Sequence, residues 1–351
     1  MKNKKLEFGW PNGNECGVIK FNKVINAGWC SLVINKFKDS FAELNKNDNF
    51  EITSLHDTKE ISGSYKIQTT SNCWFMRISS RIGFAELEKT ITNYANKMGC
   101  DLNPIISTLE FEWNDENYRA DIRPYIDGRH YNNTLSDIEA VARSLSKIHS
   151  TFKDIPSKND VCQNQMRISK NHGDIINKIS IALDLNDFSL FLNYEKWACT
   201  NRNWLKKLVK SYTPNFYEYK GAQVLHGQPH TGNVVFQQDS GKAILVDTET
   251  CAYVYAPPEF DLAYFVQRFI LNDNLKDIDI KKRLYAVEKG YSLPLKPLSN
   301  MMQQLSWYSI VSAFHFLLTE NVSIPLEELN KFVQLEYKAT QFDEFLFSMR
   351  G

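Results

Sequence analysis

The chain has 351 residues, of which 43% are hydrophobic and 13% aromatic, so it is long and apolar enough for two lobes with a core each. Its 41 basic and 41 acidic residues balance, so no net charge attracts it to nucleic acid or to an anionic membrane. No stretch approaches the roughly 20 apolar residues of a membrane span. The composition therefore predicts a globular protein with neither nucleic acid nor a membrane as its partner.

The seven cysteines are scattered along the chain, and none belongs to a CxxC pair. This pattern disfavours a zinc ribbon or a disulfide framework and favours a reducing compartment, where cysteine acts as a small apolar residue. The basic start, MKNKKLEFGWPNGNE, is not followed by the apolar run of a secretion signal. We therefore expect a cytoplasmic protein.

The first 48 residues carry no recognisable motif and predict one short helix at residues 35–45. We treat residues 1–48 as an N-terminal extension of unknown role, either a cap or an extra packing segment. Beyond it, strand-like runs rich in β-branched and aromatic residues alternate with turn formers. The predicted strands are 50–55, 64–70, 73–79, 105–113 and 118–126, with a helix ending at Gly99 between the third and the fourth.

The chain becomes mainly helical after Asp127. Residues 135–149 have apolar side chains at helical spacing, and Ser136 with Glu139 predicts a capping box at the start of this helix. The order of elements predicts an α+β protein of two lobes. Residues 49–126 form a small antiparallel β-sheet lobe, and residues 127–351 form a larger, mainly helical lobe.

Two segments of the large lobe carry the predicted chemistry. HGQPHTGNVVF (226–236) and AILVDTET (243–250) flank the turn QQDSGK. If their apolar runs pair as a hairpin, Asn233 directly before the first strand and Asp247 directly after the second lie at the same edge. Carboxylate and amide oxygens suit Mg²⁺, which leaves coordination positions for phosphate and water. The pattern therefore indicates phosphoryl transfer.

These segments, followed by PPEFDLAYF, resemble in order the HGDxHxGN, IDxE and DLA motifs of the aminoglycoside phosphotransferase and choline kinase superfamily. The resemblance covers roughly residues 50–320. It implies a two-lobed, protein-kinase-like fold, with the catalytic and acceptor site in the large lobe. It also implies ATP and Mg²⁺ as cofactors and a small-molecule hydroxyl acceptor.

Site residues follow from the resemblance, position by position. In the large lobe it implies that Asn233 and Asp247 hold Mg²⁺ on the ATP phosphates. It also implies that Asp261 and His226 support the catalytic loop structurally, and Glu249 is expected to face the same cleft.

In the small lobe the family has a strand lysine that neutralises the ATP phosphates, and this chain has Arg77 there instead. The resemblance implies that a glutamate of the following helix pairs with it. We expect Glu88 to be that partner, with Glu86 as its competitor. Arginine keeps the charge but differs from lysine in reach and geometry.

Gln228 stands where the family has the aspartate that accepts the proton of the acceptor hydroxyl. A glutamine amide cannot act as a base near neutral pH. Phosphoryl transfer depends mainly on positioning and charge neutralisation, however, and a glutamine can orient a nucleophile through its carbonyl oxygen. His230, two residues later, either takes the proton or packs against the loop.

Three functions therefore stay open. The first is an ATP- and Mg²⁺-dependent phosphotransferase, and the second is a catalytically impaired pseudokinase that binds nucleotide or a partner in a regulatory role. The third is an unrelated globular binding protein.

The acceptor class is open as well, among a sugar, an amino alcohol and an aminoglycoside-like compound. Trp307, Tyr308, Phe314 and His315 lie at spacings that suit either a helical core or an aromatic acceptor wall, and Glu320 follows them. Because no dense acidic run occurs there, an aminoglycoside is disfavoured. The sequence predicts no oligomeric state.

Overall fold

In a computed structural model of the chain, the described residues are 23–24, 28–40, 49–54, 61–80, 83–271, 275–320, 323–340 and 342–350. Their buried apolar side chains form two clusters. One lies between the sheet of the small lobe and a helix packed on it, and the other fills the large lobe. None of the helices in this part of the chain is long and apolar enough to cross a membrane.

The small lobe is built on one antiparallel sheet with the strand order β1-β2-β3-β4-β6-β5. The strands are β1 Lys23–Val24, β2 Glu51–Ser54, β3 Gly63–Gln68, β4 Cys73–Ser79, β5 Ser107–Trp113 and β6 Glu116–Pro124. The five predicted strands are confirmed, although the last begins and ends two residues earlier than expected. The strand β6 pairs with β4 on one side and with the edge strand β5 on the other.

The turn between β5 and β6 shows why the sequence NDEN forms a hairpin. Trp113 pairs with Glu116, which leaves a two-residue loop of Asn114 and Asp115. Both loop residues have positive φ angles, 52° and 62°. Such loops favour Asn and Asp, which tolerate the left-handed region better than other residues with a Cβ.

A helix of the N-terminal segment belongs to the core of the small lobe. This helix, α1, spans Gly28–Ser40 and so begins seven residues earlier than expected, whereas residues 41–48 lie outside the described residues. Trp29, Val33 and Phe37, spaced four residues apart, are buried against the sheet. The helix is thus a packing segment.

The second helix, α2, spans Ala85–Lys97 and lies between β4 and β5 in the chain. The helices of the large lobe are α3 Leu135–Phe152, α4 Lys158–Leu185, α5 Glu195–Thr200, α6 Arg202–Ser211, α7 Glu259–Phe269, α8 Asp277–Tyr291, α9 Ser299–Glu320, α10 Leu326–Ala339 and α11 Phe342–Arg350. Five short strands accompany them: β7 Gly128–Arg129, β8 Gln223–Val224, β9 Val234–Gln237, β10 Ala243–Leu245 and β11 Tyr255–Ala256. They form a three-stranded sheet, β10-β9-β7, and the pair β11-β8.

The start of α3 differs from the predicted capping box. Thr134 has extended backbone angles, and its hydroxyl accepts the backbone N–H of Asp137 at 3.2 Å. Ser136 therefore lies inside the first turn and is not the cap. Because Thr134 satisfies one of the unpaired N–H groups of the first turn, the helix begins at Leu135.

Candidate functional site

The predicted hairpin that places Asn233 and Asp247 is confirmed. Val234 pairs with Leu245 in the β9–β10 ladder, and the N–H of Val246 donates to the carbonyl of Asn233 at 2.9 Å. The pairing therefore brings Asn233 and Asp247 to the same edge. Asp247 has φ 58° and ψ 60°, a left-handed conformation that ends the ladder and turns the chain into a short 3₁₀ helix.

The loop that precedes β9 is held by the carboxylate of Asp261, which is fully buried in α7. This carboxylate accepts the backbone N–H groups of His226 at 3.0 Å and Gly227 at 2.8 Å. It also accepts Nε2 of His149 at 3.0 Å. Gly227 has φ +88°, and a Cβ there would lie 2.9 Å from Thr250, so the loop requires glycine.

His226 braces the loop against the hairpin. Its Nε2 lies 3.1 Å from the carbonyl of Val246, and its Nδ1 accepts the N–H of Gln228 at 3.4 Å. Because the carbonyl is an acceptor, the proton lies on Nε2. Burial lowers the pKa of His226, although Asp261 opposes the shift, and the ring is neutral at pH 7.

Gln228 lies at the centre of the loop, and its backbone is fixed independently of its side chain. Its carbonyl accepts the N–H of His230 at 3.0 Å and Nδ2 of Asn233 at 3.1 Å. The second contact directs the nitrogen of the Asn233 amide towards the loop and leaves Oδ1 as the atom that can bind a cation. The side chain of Gln228 is half-buried.

His230 is buried next to the same loop. Its Nδ1 accepts the N–H of Gly232 at 3.1 Å, so the proton of the neutral ring lies on Nε2. Burial, followed by the positive charge of Arg268, lowers the pKa of His230 to about 3. A histidine with so low a pKa is a weak base at pH 7, and its geometry favours the packing role.

The small lobe reaches the hairpin through Arg77 on β4. Its Nη1 donates a hydrogen bond to Oδ1 of Asp247. Asp247 raises the pKa of Arg77. Burial acts to raise the pKa of Asp247, but Arg77 and Arg123 outweigh it and hold this pKa below its usual range. The pair is therefore fully ionised at neutral pH.

The expected pairing of Arg77 with Glu88 is corrected by the structure. Glu88 pairs instead with Arg123 of β6, with Nη2 and Oε1 2.5 Å apart and both side chains 5% exposed. The same Oε1 accepts the hydroxyl of Thr248 at 2.7 Å, and Arg123 also donates to this hydroxyl at 3.0 Å. Because Glu88 is buried on α2, it needs a cation that is buried with it. Glu86 is exposed.

This ion pair links the small lobe to the site, because Thr248 follows Asp247 directly. Arg123 donates further to the carbonyl of Asn103 at 2.7 Å. Glu249 is exposed, and its negative charge adds to the raised pKa of Arg77. Sequence reasoning missed Arg123, because a charge in a strand is usually directed to solvent.

The aromatic residues considered for the acceptor belong mostly to the core. Trp307 and Phe314 are each 1% exposed, and Phe314 packs edge-on against Phe191 with ring centroids 5.0 Å apart. Tyr308 packs on His172 at 4.8 Å. His315 is half-buried, and Glu320 is exposed at the end of α9.

The oxygens of Asn233 and Asp247 fit a magnesium ion by donor type. Within the described residues, no group of three or more histidine, cysteine, aspartate or glutamate side chains could hold a metal ion. A cation at this edge would therefore need further oxygen ligands from phosphate or water, as is usual for Mg²⁺.

No protein-family model and no curated protein sequence matches this chain, but solved structures do. A spectinomycin phosphotransferase in complex with ADP and spectinomycin has 16% identity and a TM-score of 0.57, covering 94% of this chain and 99% of the other. A Plasmodium vivax ethanolamine kinase has 12% identity and a TM-score of 0.54, covering 89% and 87%. The choline kinase of Streptococcus pneumoniae has 12% identity and a TM-score of 0.51, covering 92% and 100%. The predicted fold is confirmed.

Proposed function

We propose that this chain, which has the fold of aminoglycoside phosphotransferases and choline kinases, is an ATP- and Mg²⁺-dependent phosphotransferase acting on a small-molecule hydroxyl. The observation that carries the proposal is the common edge of Asn233 and Asp247, beside a loop fixed by Asp261. In the reaction, the bond from the γ-phosphorus to the bridging oxygen breaks and a bond to the acceptor oxygen forms. ADP leaves, and the hydroxyl proton is released.

Oδ1 of Asn233 and the carboxylate of Asp247 would hold the metal. Bound Mg²⁺ would neutralise charge that develops on the phosphates during transfer. Arg77, whose side chain is 37% exposed, would bind the phosphates from the small-lobe side. It already contacts Asp247, so its guanidinium would lie close to phosphate oxygens bound at the metal edge. The buried ion pair of Glu88 and Arg123, which contacts Thr248, would hold α2 in a fixed position relative to this edge.

Gln228 would orient the acceptor hydroxyl through its side-chain carbonyl. Because the backbone on both sides of Gln228 is already hydrogen-bonded, the loop needs little reorganisation during the reaction. Neither Gln228 nor His230, whose pKa is lowered by burial to about 3, supplies a strong base here. General base catalysis typically contributes about 10² to 10⁴ in rate, so we expect slow turnover.

The second candidate is a pseudokinase that binds nucleotide without transfer. Two observations favour it: Gln228 in the position of the base, and the contact of Arg77 with the proposed metal ligand Asp247. This candidate shares the nucleotide site with the enzyme and differs from it only in turnover. Both functions therefore predict binding of ATP, and only one predicts a phosphorylated product.

The test is thermal unfolding with ATP, with and without Mg²⁺, followed by an assay of ³²P transfer from ATP to pooled hydroxyl compounds. At 100 times Kd a ligand stabilises the folded state by about 2.7 kcal/mol. We expect this stabilisation to require Mg²⁺ and to be lost in Asp247→Ala, but not in the control Asp279→Ala, whose carboxylate is 47% exposed. Stabilisation without transfer or hydrolysis supports the pseudokinase. Absence of stabilisation contradicts both functions.

A further inference from the structure

The proposed metal ligand Asp247 has a backbone conformation that its neighbours must hold in place. Its φ of 58° and ψ of 60° lie in the left-handed region, which costs free energy for a residue with a Cβ, although less for aspartate than for most. Before it in the chain, the N–H of Val246 donates to the carbonyl of Asn233 at 2.9 Å. The carbonyl of Val246 lies 3.1 Å from Nε2 of His226. The large lobe therefore anchors Asp247 from its N-terminal side.

The small lobe supplies the anchor on the C-terminal side, through the hydroxyl of Thr248. This hydroxyl donates to Oε1 of Glu88 at 2.7 Å and accepts Nη1 of Arg123 at 3.0 Å, so it is used both as donor and as acceptor. Thr248, Glu88 and Arg123 are all buried, so solvent does not compete for these contacts. The buried ion pair thus holds the residue next to Asp247.

The two partners of this hydroxyl are themselves fixed to the rest of the molecule. Glu88 belongs to α2 and Arg123 to β6, and Arg123 also donates to the carbonyl of Asn103 at 2.7 Å. A second contact holds α2 on the same segment, because the ring of Phe84 lies 5.7 Å from that of Tyr253. Moving the hydroxyl away would break a buried hydrogen bond to a charged group and leave that group with one partner fewer. The hydroxyl is therefore held at a fixed point.

We propose that Thr248 is a positioning residue of the metal site, and that its hydroxyl holds Asp247 in the conformation that places the carboxylate at the edge shared with Asn233. The inference rests on the proposed function and assigns part of the affinity for the divalent cation to a contact made by the small lobe. Free energy spent on ordering a ligand side chain is subtracted from the free energy of binding. A carboxylate that is already held in place therefore binds the metal ion more tightly.

The test compares two substitutions of this hydroxyl. Thr248→Val keeps the shape of the side chain and removes both hydrogen bonds, whereas Thr248→Ser keeps the hydroxyl. Electron paramagnetic resonance measures the Kd of Mn²⁺, alone and with a non-hydrolysable ATP analogue. We expect this Kd to rise about five- to twentyfold in Thr248→Val and to stay within about twofold of the wild type in Thr248→Ser. The Kd of the analogue without metal should change less than about twofold in both variants.

The matched control is Thr92→Val, at a second buried threonine of α2. Its hydroxyl donates to the carbonyl of Lys89 at 3.3 Å and accepts the N–H of Ile105 at 3.4 Å. Thr92→Val should lower the Tm and leave the Kd of Mn²⁺ unchanged, which separates positioning from a general loosening of α2. If Thr248→Val does not fold, Thr248→Ala takes its place, because it removes the hydroxyl without putting a methyl group there.

The outcomes distinguish this inference from the proposed function. Equal Mn²⁺ affinity in the wild type and in the variant without the hydroxyl would overturn the inference alone, and so would an equal loss of affinity in Thr248→Ser or Thr92→Val. A wild type that binds no Mn²⁺, with or without the ATP analogue, would overturn the proposed function and the inference together.

Discussion

Arg77 donates a hydrogen bond to Asp247, 170 residues later in the chain, and so joins the two lobes across the cleft. The contact places a permanent cation on the oxygen that we assign to the metal. A phosphate group and this carboxylate would therefore share one arginine. Arginine has a longer side chain than lysine and ends in a planar fork, and Arg77 uses this reach to contact the hairpin from β4.

The first prediction concerns this shared arginine. In Arg77→Ala, binding of Mn²⁺ without nucleotide should become about two- to fivefold tighter, because an ion pair whose arginine is 37% exposed contributes only about 0.2–1 kcal/mol. Affinity for ATP with Mg²⁺ should fall, because the phosphate contact is lost. Electron paramagnetic resonance measures the first quantity and calorimetry the second. Arg143→Ala, on an exposed ion pair of α3, should change neither. Weaker Mn²⁺ binding in Arg77→Ala would show that Arg77 does not compete with the metal ion for Asp247.

The second prediction concerns the buried pair of Glu88 and Arg123. Arg123→Met leaves a carboxylate buried without its cation and should lower the free energy of unfolding by about 3–5 kcal/mol. The double variant Glu88→Leu with Arg123→Met should lose less than the sum of the single losses. Urea denaturation measures both effects. For comparison, Arg143→Ala should lose less than about 1 kcal/mol, because its partner Glu139 is on the surface. If Arg123→Met also lost less than about 1 kcal/mol, the buried pair would not be important for stability.

The confirmed parts of the fold depend on local patterns. Five strands and the hairpin of Asn233 and Asp247 follow from alternating apolar residues and from turn formers, which act over a few residues. The predicted start of helix α1 was seven residues too far along the chain, although Trp29, Val33 and Phe37 have the helical spacing that identifies its first turns. The cap at Thr134 was missed because the four residues 134–137 include three that can cap a helix, namely Thr134, Ser136 and Asp137.

The site is harder to predict, because its contacts join distant parts of the chain. Glu88 was matched to Arg77 by family analogy, whereas burial selects Arg123. The partnership of His149 with Asp261 spans 112 residues. The common edge of Asn233 and Asp247 can thus be predicted from a local pattern, but the pairing of buried charges requires the packed structure.

The third prediction concerns pH. Burial lowers the pKa of His172 to about 3, so between pH 6.5 and 3 the unfolded chain binds a proton that the folded chain does not. The contribution of this residue to the free energy of unfolding is fully present above pH 6.5 and is lost as the pH decreases. The loss is about 2 kcal/mol between pH 7 and pH 5. His172→Gln should reduce the pH dependence of unfolding by that amount. His315→Gln, at a half-buried position, serves as a control and should reduce it less. An unchanged slope in His172→Gln would contradict the neutral, buried histidine.

The last prediction concerns Gln228. Gln228→Asp should raise transfer of phosphate to an acceptor by about 10² or more, because an aspartate supplies the missing base. The loop should survive the change, since its hydrogen bonds use the carbonyl of Gln228 and not its side chain. The measurement is ³²P transfer together with ATP hydrolysis, and Gln238→Asp, on the exposed hairpin turn, should leave both unchanged. If Gln228→Asp binds ATP but stays inactive, the limiting defect lies elsewhere in the cleft, and the contact of Arg77 with Asp247 becomes the first candidate.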